Sequence, residues 1–363
     1  MKLEVTQENL SRALATVSRV AHSKTSLPIL NNILFRAEKN RLTLIATNLE
    51  IAITEHVGAK VAREGVITIP ARLVSDYVAN LPKSIISLSL DGTKLHISTD
   101  NYSSTLNGTV ADEFPEVPTI TDPVEVTVDA ALLKRSIQQT ILTVSHDETR
   151  PILTGVYLHT HDGELYMAGT DGYRLSERRI MKLEHEISAI VPSQTVQDIV
   201  RVIPDECEEV SLLISDQQVE CKMGDITIMS RLIDGKYPDY RQLIPSKNDT
   251  EFVAGREEFT RIVKVASLFA RESGGSITIT TDAAAEQVSI HSLASQLGEN
   301  TSAINVAPTS DGAITLNSRY IVEALGVMDA REVSFGFSGK LAPCVMKPVG
   351  DDSYTHIIMP LKS

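Results

Sequence analysis

The chain has 363 residues, 42% of them hydrophobic, and a formal net charge of −13. This length is sufficient for two or three compact domains. The acidic balance by itself argues against nucleic-acid binding, because phosphates require cations, although a total hides where the cations lie. No run of 18 apolar residues occurs, which excludes a membrane-spanning helix. Three scattered cysteines and an N-terminus without an apolar leader predict a reduced, cytoplasmic location.

Six amphipathic helices are predicted along the chain, each preceded by a strand and followed by short alternating runs. Their apolar residues recur at spacings of four and seven, which is typical of one buried helical face. The predicted helices are 7–24, 71–83, 129–144, 194–203, 256–271 and 318–331. The alternating runs predict antiparallel strands, with tight turns at Asp91-Gly92 and Asp162-Gly163. Segments 115–123 and 245–251 have the composition of linkers.

The chain also repeats itself. "LPILNNILF" (27–35) aligns with "RPILTGVYL" (150–158) at an offset of 123, and this offset holds for more than forty residues. A third copy begins near residue 252, where an offset of 249 places Phe259 on Leu10. The expected fold is therefore α+β, with three repeated domains of two strand–helix–strands halves each. The expected domains are 1–120, 124–246 and 250–363.

Positive charge is concentrated on the predicted helices. They hold 14 Lys and Arg against 8 Asp and Glu, whereas the rest of the chain holds 20 against 39. Arg12 aligns with Arg135 and Arg261, about 200° around the helix from the apolar residue two positions earlier. Arg72 likewise aligns with Arg319. A charged helix face is often only a solvated face, but its recurrence in an acidic chain favours a basic surface for a polyanion.

Helix packing limits what such a surface can enclose. Six helices packed side by side in a ring leave a hole of about 8 Å. Twelve leave about 26 Å, which is wide enough for a duplex roughly 20 Å across. A single chain therefore cannot encircle duplex DNA in this way, whereas a head-to-tail pair of chains can.

The stretch "AGTDGYRLSE" (168–177) is either a catalytic loop or the rim of a binding pocket. The first repeat has "TNLE" (47–50) at the same place, so the turn is shared architecture in which Asp or Asn bonds its own backbone. No G-x-S-x-G, Walker, G-x-G-x-x-G or H-E-x-x-H motif occurs in the chain. The new feature of the second copy is a glycine followed by Tyr173 and Arg174, residue types common in binding hot spots. A pocket rim is the favoured interpretation.

"HTHDGE" (159–164) raises the question of a metal site. His159 and His161 are two residues apart, so in a strand they share a face and can both ligate zinc. The segment aligns, however, with "RAEKNR" (36–41) of the first repeat, and Asp162-Gly163 is typical of a hairpin turn. A plain hairpin without a metal or cofactor is the favoured interpretation.

Several longer motifs together resemble the bacterial sliding clamps, the β subunits of DNA polymerase III. They are "LPILNNIL", "TIPARLVSDYV", "ADEFPEVP", "GTDGYRL", "DGKYPDYRQLIP" and "KPVGDDSYTHIIMPL". The resemblance covers the whole chain and implies a homodimeric ring of six similar domains, with sheets outside and helices lining duplex DNA. It implies a non-catalytic processivity subunit of a DNA-directed DNA polymerase, a nucleotidyltransferase holoenzyme. Implied partners are the polymerase III catalytic subunit, the clamp loader, and other polymerases and repair proteins that dock through short peptides.

The same resemblance implies three sets of site residues. Expected DNA contacts, together with the aligned arginines above, are Lys24, Arg72, His146, Arg150, Asn317 and Tyr320. The expected peptide cleft comprises Leu153, Thr170, Gly172, Tyr173, Arg174, Leu175, Pro238, Gln242, Leu243, Val345, Met346, Met359, Pro360 and Leu361. The expected dimer joint places Leu106 against Leu268 and Phe269 of the other chain.

Some residues depart from the family pattern. Pro151 and Ile152 stand where relatives can carry aromatic residues, and Gln242 stands where an Arg is common. Residues 296–303 have a single acidic side chain, Glu299, which reduces charge at the joint. The alternative class is a hydrolase or carbohydrate-acting enzyme built on repeated α/β units, since repeated strands alone permit either. The repeated basic helix face and the missing catalytic motifs favour the clamp.

Overall fold

The computed structural model describes residues 1–21, 27–295 and 298–361. In these residues the chain forms six α-helices and 25 β-strands, and every pair of neighbouring strands is antiparallel. The predicted α+β class is confirmed. None of the helices in the described part of the chain is long and apolar enough to cross a membrane.

All six predicted helices are present, but most end earlier than the apolar pattern suggested. The observed helices are α1 Gln7–Val17, α2 Ala71–Ala79, α3 Ala130–Ile141, α4 Ser193–Val202, α5 Arg256–Phe269 and α6 Ser318–Val327. In α2 the apolar spacing continues to Leu81, yet the helix stops before it. Pro82 explains this, because the residue before a proline is disfavoured in helical geometry.

The strands follow the repeat, with one additional strand, β5, in the first third. In that third they are β1 Lys2–Thr6, β2 Asn32–Glu38, β3 Arg41–Thr47, β4 Ile51–Gly58, β5 Lys60–Arg63, β6 Gly65–Pro70, β7 Ile85–Asp91, β8 Lys94–Ser98 and β9 Ser103–Asn107. The middle third contains β10 Val124–Asp129, β11 Gly155–His161, β12 Glu164–Thr170, β13 Arg174–Lys182, β14 Ser188–Pro192, β15 Glu209–Ile214, β16 Gln218–Met223 and β17 Ile226–Arg231. The last third contains β18 Thr250–Gly255, β19 Ser276–Asp282, β20 Gln287–Ala294, β21 Gly298–Asn305, β22 Gly312–Asn317, β23 Glu332–Phe337, β24 Cys344–Pro348 and β25 Tyr354–Ile358.

The chain divides into two compact units, and each contains two sheets. Unit 1 comprises Met1–Ala131 and Gln194–Leu232, and unit 2 comprises Leu132–Ser193 and Ile233–Ser363. Unit 1 has sheets of order β5-β1-β7-β8-β9 and β10-β15-β16-β17-β4-β3-β2-β6. Unit 2 has sheets of order β14-β11-β12-β13-β25-β24-β23-β18 and β21-β20-β19-β22.

Each eight-stranded sheet is continuous across two thirds of the sequence. In unit 1, β4 of the first third pairs with β17 of the middle third, and we call this pairing the first junction. In unit 2, β13 of the middle third pairs with β25 of the last third, which we call the second junction. The two junctions are equivalent under the repeat, so one pattern of pairing joins successive thirds of the chain.

The buried faces of the helices are those that the sequence predicts. Leu10 and Leu14 of α1 are fully buried, as are Phe259 and Val263 of α5. The aligned arginines on the opposite side, such as Arg12, are exposed. Each helix therefore packs its apolar face into the core of its own domain and leaves its basic face uncovered by that core.

Small apolar clusters confirm the offset of 123. In unit 1, Phe114 packs near Leu34 and Ile45, with Ile29 and Val117 at the edge. The corresponding positions of unit 2 also share one cluster, and they are Tyr237, Tyr157, Ala168, Ile152 and Tyr240. In both units an aromatic side chain of the segment between consecutive domains, 108–123 and 232–249, thus packs against the eight-stranded sheet, and from here on the whole of each segment is called the linker.

The turns agree with the sequence in one case and differ by one residue in the other. His161 pairs with Glu164 across a two-residue turn, and Asp162 and Gly163 have φ values of 49° and 74°, as a type I′ hairpin requires. In the other hairpin Asp91 still pairs with Lys94, so the turn consists of Gly92 and Thr93, not Asp91-Gly92. Residues 115–123 carry no regular structure, as expected of a linker, and in 245–251 the linker ends where β18 begins at Thr250.

Candidate functional site

The turn "TDGYR" links β12 to β13 at the second junction and is held by its own aspartate. Asp171 Oδ1 accepts hydrogen bonds from the backbone N–H groups of Tyr173 (2.8 Å) and Arg174 (3.0 Å). In the first repeat, Asn48 Oδ1 accepts the same two bonds, from Glu50 (3.0 Å) and Ile51 (2.8 Å). The predicted backbone role of this Asp or Asn is confirmed, and Oδ1 is occupied by these two bonds.

Arg174 lies inside this turn instead of projecting from it. Its guanidinium is buried, with Nε 3.0 Å from Asp171 Oδ2 and Nη1 bonded to Glu323 of α6. The guanidinium also stacks over the Tyr320 ring, 4.4 Å from its centre. Burial acts to raise the pKa of Glu323, but hydrogen bonds from Arg319 and Arg174 outweigh it and lower this pKa. Glu323 is therefore an ionised anchor that fixes the turn to α6.

Next to this anchor lies an apolar cluster built from several elements of unit 2. Leu153, Leu175 and Val345, all expected in the peptide cleft, share it with the linker tyrosines Tyr237 and Tyr240. Tyr237 stacks on Tyr157 with ring centres 4.5 Å apart. Leu175 is 2% exposed, so the cluster forms a nearly closed floor and not an open surface.

Most of the remaining expected cleft residues are exposed or half-buried, whereas Thr170 is buried. Tyr173, Pro238, Gln242 and Leu243 are exposed, while Met359, Pro360 and Leu361 are half-buried. The Met359 backbone N–H donates to Tyr173 O (2.8 Å), which places the C-terminal segment beside the turn. Thr170 is buried, and its hydroxyl donates to Arg174 O (2.7 Å) and accepts from the N–H of Gly172 (3.1 Å).

Met346 is placed apart from the other cleft residues. It is fully buried in the core of the last domain, in the same cluster as Phe335. Val345 and Met346 are neighbours on β24, and successive side chains of a strand point to opposite faces. The structure therefore brings Val345, and not Met346, to the apolar cluster that contains Leu175.

A buried polar network beneath the linker was not foreseen from the sequence. The Tyr240 hydroxyl donates to Glu177 Oε2 (2.6 Å) and lies 2.7 Å from His159 Nε2. Arg241 donates to Glu177 Oε1 (3.1 Å) and stacks over Tyr166. Tyr240 aligns with the apolar Val117 of the first repeat, and this gain of a hydroxyl group is the sequence signal that could have indicated the network.

The histidines considered as metal ligands belong to this part of unit 2. His159 is buried between Tyr157 and Tyr166, and its burial lowers its pKa to about 4. His161 is exposed at the hairpin turn, 3.2 Å from Asp162. Among the residues that the structure describes, no cluster of three or more His, Cys, Asp or Glu side chains is arranged to hold a metal ion.

The residues expected to contact DNA lie mostly on exposed surface. Exposed on helix faces that point away from the domain cores are Arg12, Arg72, Arg135 and Arg261. His146 and Arg150 are exposed in the loop that follows α3. Asn317 caps α6 by accepting from the Arg319 N–H (3.0 Å), and Tyr320 is half-buried beneath Arg174. Lys24 lies outside the described residues. Arg72, Arg135 and Arg150 have loose acidic neighbours, at 3.8 Å from Asp76, 3.5 Å from Asp329 and 3.6 Å from Asp147.

The residues expected at the dimer joint lie in one edge strand and on the helix of the domain that contains another. Strand β9, which contains Leu106, is an edge strand in unit 1, and β21 is an edge strand in unit 2. Leu106 is buried in its own domain, Leu268 on α5 is 52% exposed, and Phe269 is half-buried. Under the repeat, β9 is equivalent to β17 and β25, and β21 is equivalent to β4 and β13.

Three family models match consecutive parts of the chain. The N-terminal, central and C-terminal domains of the DNA polymerase III beta subunit match residues 1–118, 127–239 and 241–362. The chain belongs to the DNA polymerase III beta subunit family. The resemblance read from the sequence motifs is thereby confirmed.

Curated relatives and solved structures agree along the full length. The beta sliding clamp of Bacillus subtilis is 29% identical over 378 residues, covering both chains completely. That of Synechococcus elongatus is 30% identical over 375 residues, covering all of this chain and 99% of the relative. The crystal structure of the Bacillus subtilis clamp superposes with a TM-score of 0.95 at 27% identity, covering 100% of this chain and 99% of that one. A Bartonella birtlesii clamp bound to griselimycin has a TM-score of 0.94 at 27% identity, covering both chains completely.

Proposed function

We propose that two copies of this chain form a ring around duplex DNA and tether DNA polymerase III and other replication and repair proteins to it. The chain itself supplies no catalytic group in this proposal, and the nucleotidyl transfer belongs to the tethered polymerase. Membership of the sliding clamp family supports the general role. The finer statements rest on three features: the open sheet edges, the basic helix faces and the apolar cluster of the second junction.

The open edges support dimerisation. Three equivalent pairings would link three repeats into a closed series, but one chain makes two of them, the first and the second junctions. The partners for the third pairing, β9 and β21, are both edge strands. Head-to-tail pairing of β9 with β21 of another copy would satisfy these edges twice and close the series at two chains.

Helix residues beside those edges support the same pairing. Under the repeat, Leu73 on α2 is equivalent to Tyr320, and Val265 on α5 is equivalent to Gln139. At the second junction Tyr320 is half-buried under Arg174, and Gln139 is buried, donating to Val327 O (3.1 Å). Leu73 and Val265 are instead exposed in the single chain. A third junction between chains would cover this apolar surface, together with Leu268.

The basic helix faces support DNA as the enclosed partner. Arg12, Arg135 and Arg261 occupy the same position in three successive repeats, and all are exposed. Such guanidinium groups contact phosphates irrespective of base sequence. Sequence-neutral contact suits a ring that must move along any duplex, because topology instead of affinity retains it.

The second junction supports peptide docking. Its apolar floor lies between the turn of Tyr173 and the half-buried segment Met359–Leu361, with exposed Leu243 and Pro238 at the rim. Small sites of this kind bind short segments through apolar anchors and a few polar contacts. We expect a segment with a Gln, a Leu and a terminal Leu or aromatic residue, as the family resemblance implies, at roughly micromolar affinity.

Retention on DNA of different topology tests the proposal. The purified protein is loaded onto nicked circular DNA by a clamp loader and separated from free protein by gel filtration. We expect it to co-elute with circular DNA and to be released when the circle is linearised by a restriction enzyme. Equal retention on circular and linear DNA would contradict the ring. Unloaded protein mixed with the same circle serves as the control.

A further inference from the structure

The first junction contains a groove equivalent to the proposed peptide site of the second. A cavity of about 200 Å³ lies between the turn Thr47–Ala52, the linker Pro115–Pro118 and the C-terminal end of β17, at Met229 and Arg231. In the second junction these positions correspond to the turn Thr170–Leu175, to Pro238–Arg241 and to the end of β25. The backbone contact is also reproduced, since the Arg231 N–H donates to Glu50 O (3.0 Å) as that of Met359 does to Tyr173 O (2.8 Å).

The groove has an apolar floor and a polar rim. Ile51, Ala52 and Met229 are buried at its base, and Val117 and the linker prolines form one wall. Glu50, Glu116, Gln218 and Arg231 supply its polar groups. This composition is typical of sites that take an apolar side chain and fix its orientation by a few polar contacts.

Leu49 at the rim has a left-handed backbone conformation, which the hydrogen bonds of its own turn hold, including that of its N–H to Thr47 Oγ1 (3.0 Å). Its φ is 77°, in the left-handed region that a branched bulky residue rarely adopts. The equivalent residue in the second junction is Gly172, with φ 89°, which adopts this conformation without strain. Leu49 is nevertheless 45% exposed, so its side chain gains little from burial. The turn thus presents a leucine, and not a glycine as at the second junction, as exposed apolar surface beside the cavity, where a ligand can contact it.

The charges at the rim indicate which ligand. Glu50 and Glu116 face the groove with one cation, Arg231, whose Nη1 is 3.9 Å from Glu50 Oε1 with both side chains largely exposed. The rim is therefore net negative and complements a basic residue. The cavity volume suits one aliphatic side chain of a chain lying along the linker.

We propose that the groove of the first junction binds a short extended peptide of a protein partner, with an aliphatic side chain in the cavity and an adjacent Arg or Lys at Glu50 and Glu116. The proposal extends the peptide docking proposed for the second junction and rests on it for the kind of partner. Each chain would then offer two sites of different charge preference, and a partner with two such segments could occupy both. Linking two weak contacts in this way raises the total affinity without new contacts.

Methyl NMR of methionine-labelled protein tests this inference. Met229 reports on the groove and Met359 on the second junction. The probe is the acetylated, amidated peptide Ser-Arg-Leu-Ser, and Ser-Glu-Leu-Ser is its charge-reversed control. We expect the Met229 methyl signal to shift with a dissociation constant of about 1 mM for the first peptide, and at least several-fold weaker binding of the second.

Leu49→Gly is the matched variant, because it removes the side chain while relieving the positive φ. We expect this variant to remain folded and to bind Ser-Arg-Leu-Ser at least several-fold more weakly, and Glu50→Gln to reduce the preference over Ser-Glu-Leu-Ser. A silent Met229 signal, or equal binding by wild type and Leu49→Gly, would overturn the inference. Retention on circular DNA does not depend on this groove, so a failure here leaves the proposed ring untouched and is distinguishable from its failure.

Discussion

The two junctions have the same pattern of backbone pairing and differ in the side chains that surround it. At the first, the His56 N–H donates to Asp225 O (3.0 Å), and at the second the Arg179 N–H donates to Ser353 O (2.8 Å) at the equivalent place. Edge-strand pairing therefore joins successive domains in the same register in both units. The side chains around the pairing, by contrast, have little in common.

At the second junction, buried ion pairs and hydrogen bonds connect the side chains of the two domains. Arg178 Nη1 is 2.6 Å from Asp351 Oδ2, and the fully buried Tyr354 hydroxyl donates to Gln139 O (3.2 Å). Burial acts to raise the pKa of Asp351, but hydrogen bonds from Ser353 and Arg178 outweigh it and lower this pKa. The ionised pair of Arg178 and Asp351 thus stabilises the contact between the domains on either side of this junction.

The first junction has a carboxylate where the second has Arg178. Glu55 is 4% exposed, and its Oε2 has no hydrogen-bond partner within the described residues. Its burial raises its pKa, although Thr16 and Arg12 partly offset this. A cavity of about 570 Å³ lies beside it, lined also by Arg201 and Cys207. The two junctions therefore share their backbone pairing and differ in the charge and packing of the side chains around it.

The largest expected effect comes from disrupting the third junction, which would form between chains. Leu268→Ala with Phe269→Ala removes apolar side chains worth several kcal/mol at the joint. Because Leu268 is exposed and Phe269 only half-buried in the single chain, the folded monomer should lose less stability than the joint. We expect a folded monomer by sedimentation at nanomolar concentration, where the wild type remains dimeric.

Leu243→Ala is the control for this pair, since it truncates a leucine of similar exposure, 47%, in the linker of unit 2. It should stay dimeric. A double variant that is still dimeric at nanomolar concentration would place the joint elsewhere.

The next effect separates the two junctions in peptide binding. Leu175→Asp places a carboxylate in the apolar floor of the second junction, at a cost of several kcal/mol. Ala52→Asp makes the equivalent change in the first. For a fluorescent peptide containing the expected Gln, Leu and terminal aromatic residue, we expect Leu175→Asp to weaken binding at least about 100-fold and Ala52→Asp to leave it unchanged. Equal affinities of wild type and Leu175→Asp would show that "AGTDGYRLSE" does not form the site.

Acid should destabilise unit 2 more than unit 1. Burial lowers the pKa of His159 to about 4 and that of His356 to about 3, below the value near 6.5 expected when unfolded. Below pH 6.5 the unfolded state then binds more protons, and unit 2 loses up to about 1.4 kcal/mol per pH unit for each histidine. The raised pKa of Glu55 has the opposite consequence, because its carboxyl adds stability to unit 1 as pH falls through that pKa toward 4.5. Burial lowers the pKa of the neighbouring His56, which costs unit 1 stability below pH 6.5, so the two groups oppose each other in unit 1.

Hydrogen exchange at pH 7 and pH 5, corrected for intrinsic rates, measures the acid response of each unit. Protection of β13 and β25 should fall at pH 5, and His356→Leu should reduce the fall. Glu55→Gln should stabilise unit 1 at pH 7 by on the order of 1 kcal/mol and make its protection fall at pH 5, because the effect of His56 is then unopposed. The same acid response in both units would refute this account of their buried groups.

The smallest effect concerns the basic helix faces, which the repeat places alike in both units. Neutralising Arg12 or Arg135 with Gln should reduce the slope of log affinity against log salt by about one unit for each phosphate that is no longer neutralised. The measurement is binding to duplex DNA at several salt concentrations. Arg36→Gln, on β2 outside the helices, should leave the slope unchanged, and a strong preference for one base sequence would contradict phosphate binding.

Features with a local cause could be predicted from the sequence. The helices, the repeat, the equivalence of Arg12, Arg135 and Arg261 and the backbone role of Asp171 all follow from periodicity, alignment or turn chemistry. The helices and the turn depend on residues close together in the chain, and the repeat is visible because whole segments resemble each other. Helix ends were less accurate, because Pro82 and capping outweigh the apolar spacing.

Features with a distant cause could not be predicted in this way. The anchor of Arg174 is Glu323, 149 residues away, and nothing near either residue indicates the pair. Met346 was expected beside Val345 in the cleft, but the side-chain direction on β24 depends on its register with β23 and β25. The groove of the first junction could have been found from the offset of 123, by mapping each residue of the expected cleft back by one repeat.

The mass of the protein in solution tests the central claim most directly, namely that the third equivalent pairing, β9 with β21, joins two chains. Sedimentation equilibrium of the wild type at micromolar concentration should give about twice the chain mass of 39.6 kDa, independent of salt to the extent that the joint is apolar. A mass of 39.6 kDa under the same conditions would leave both sheet edges open and contradict the ring.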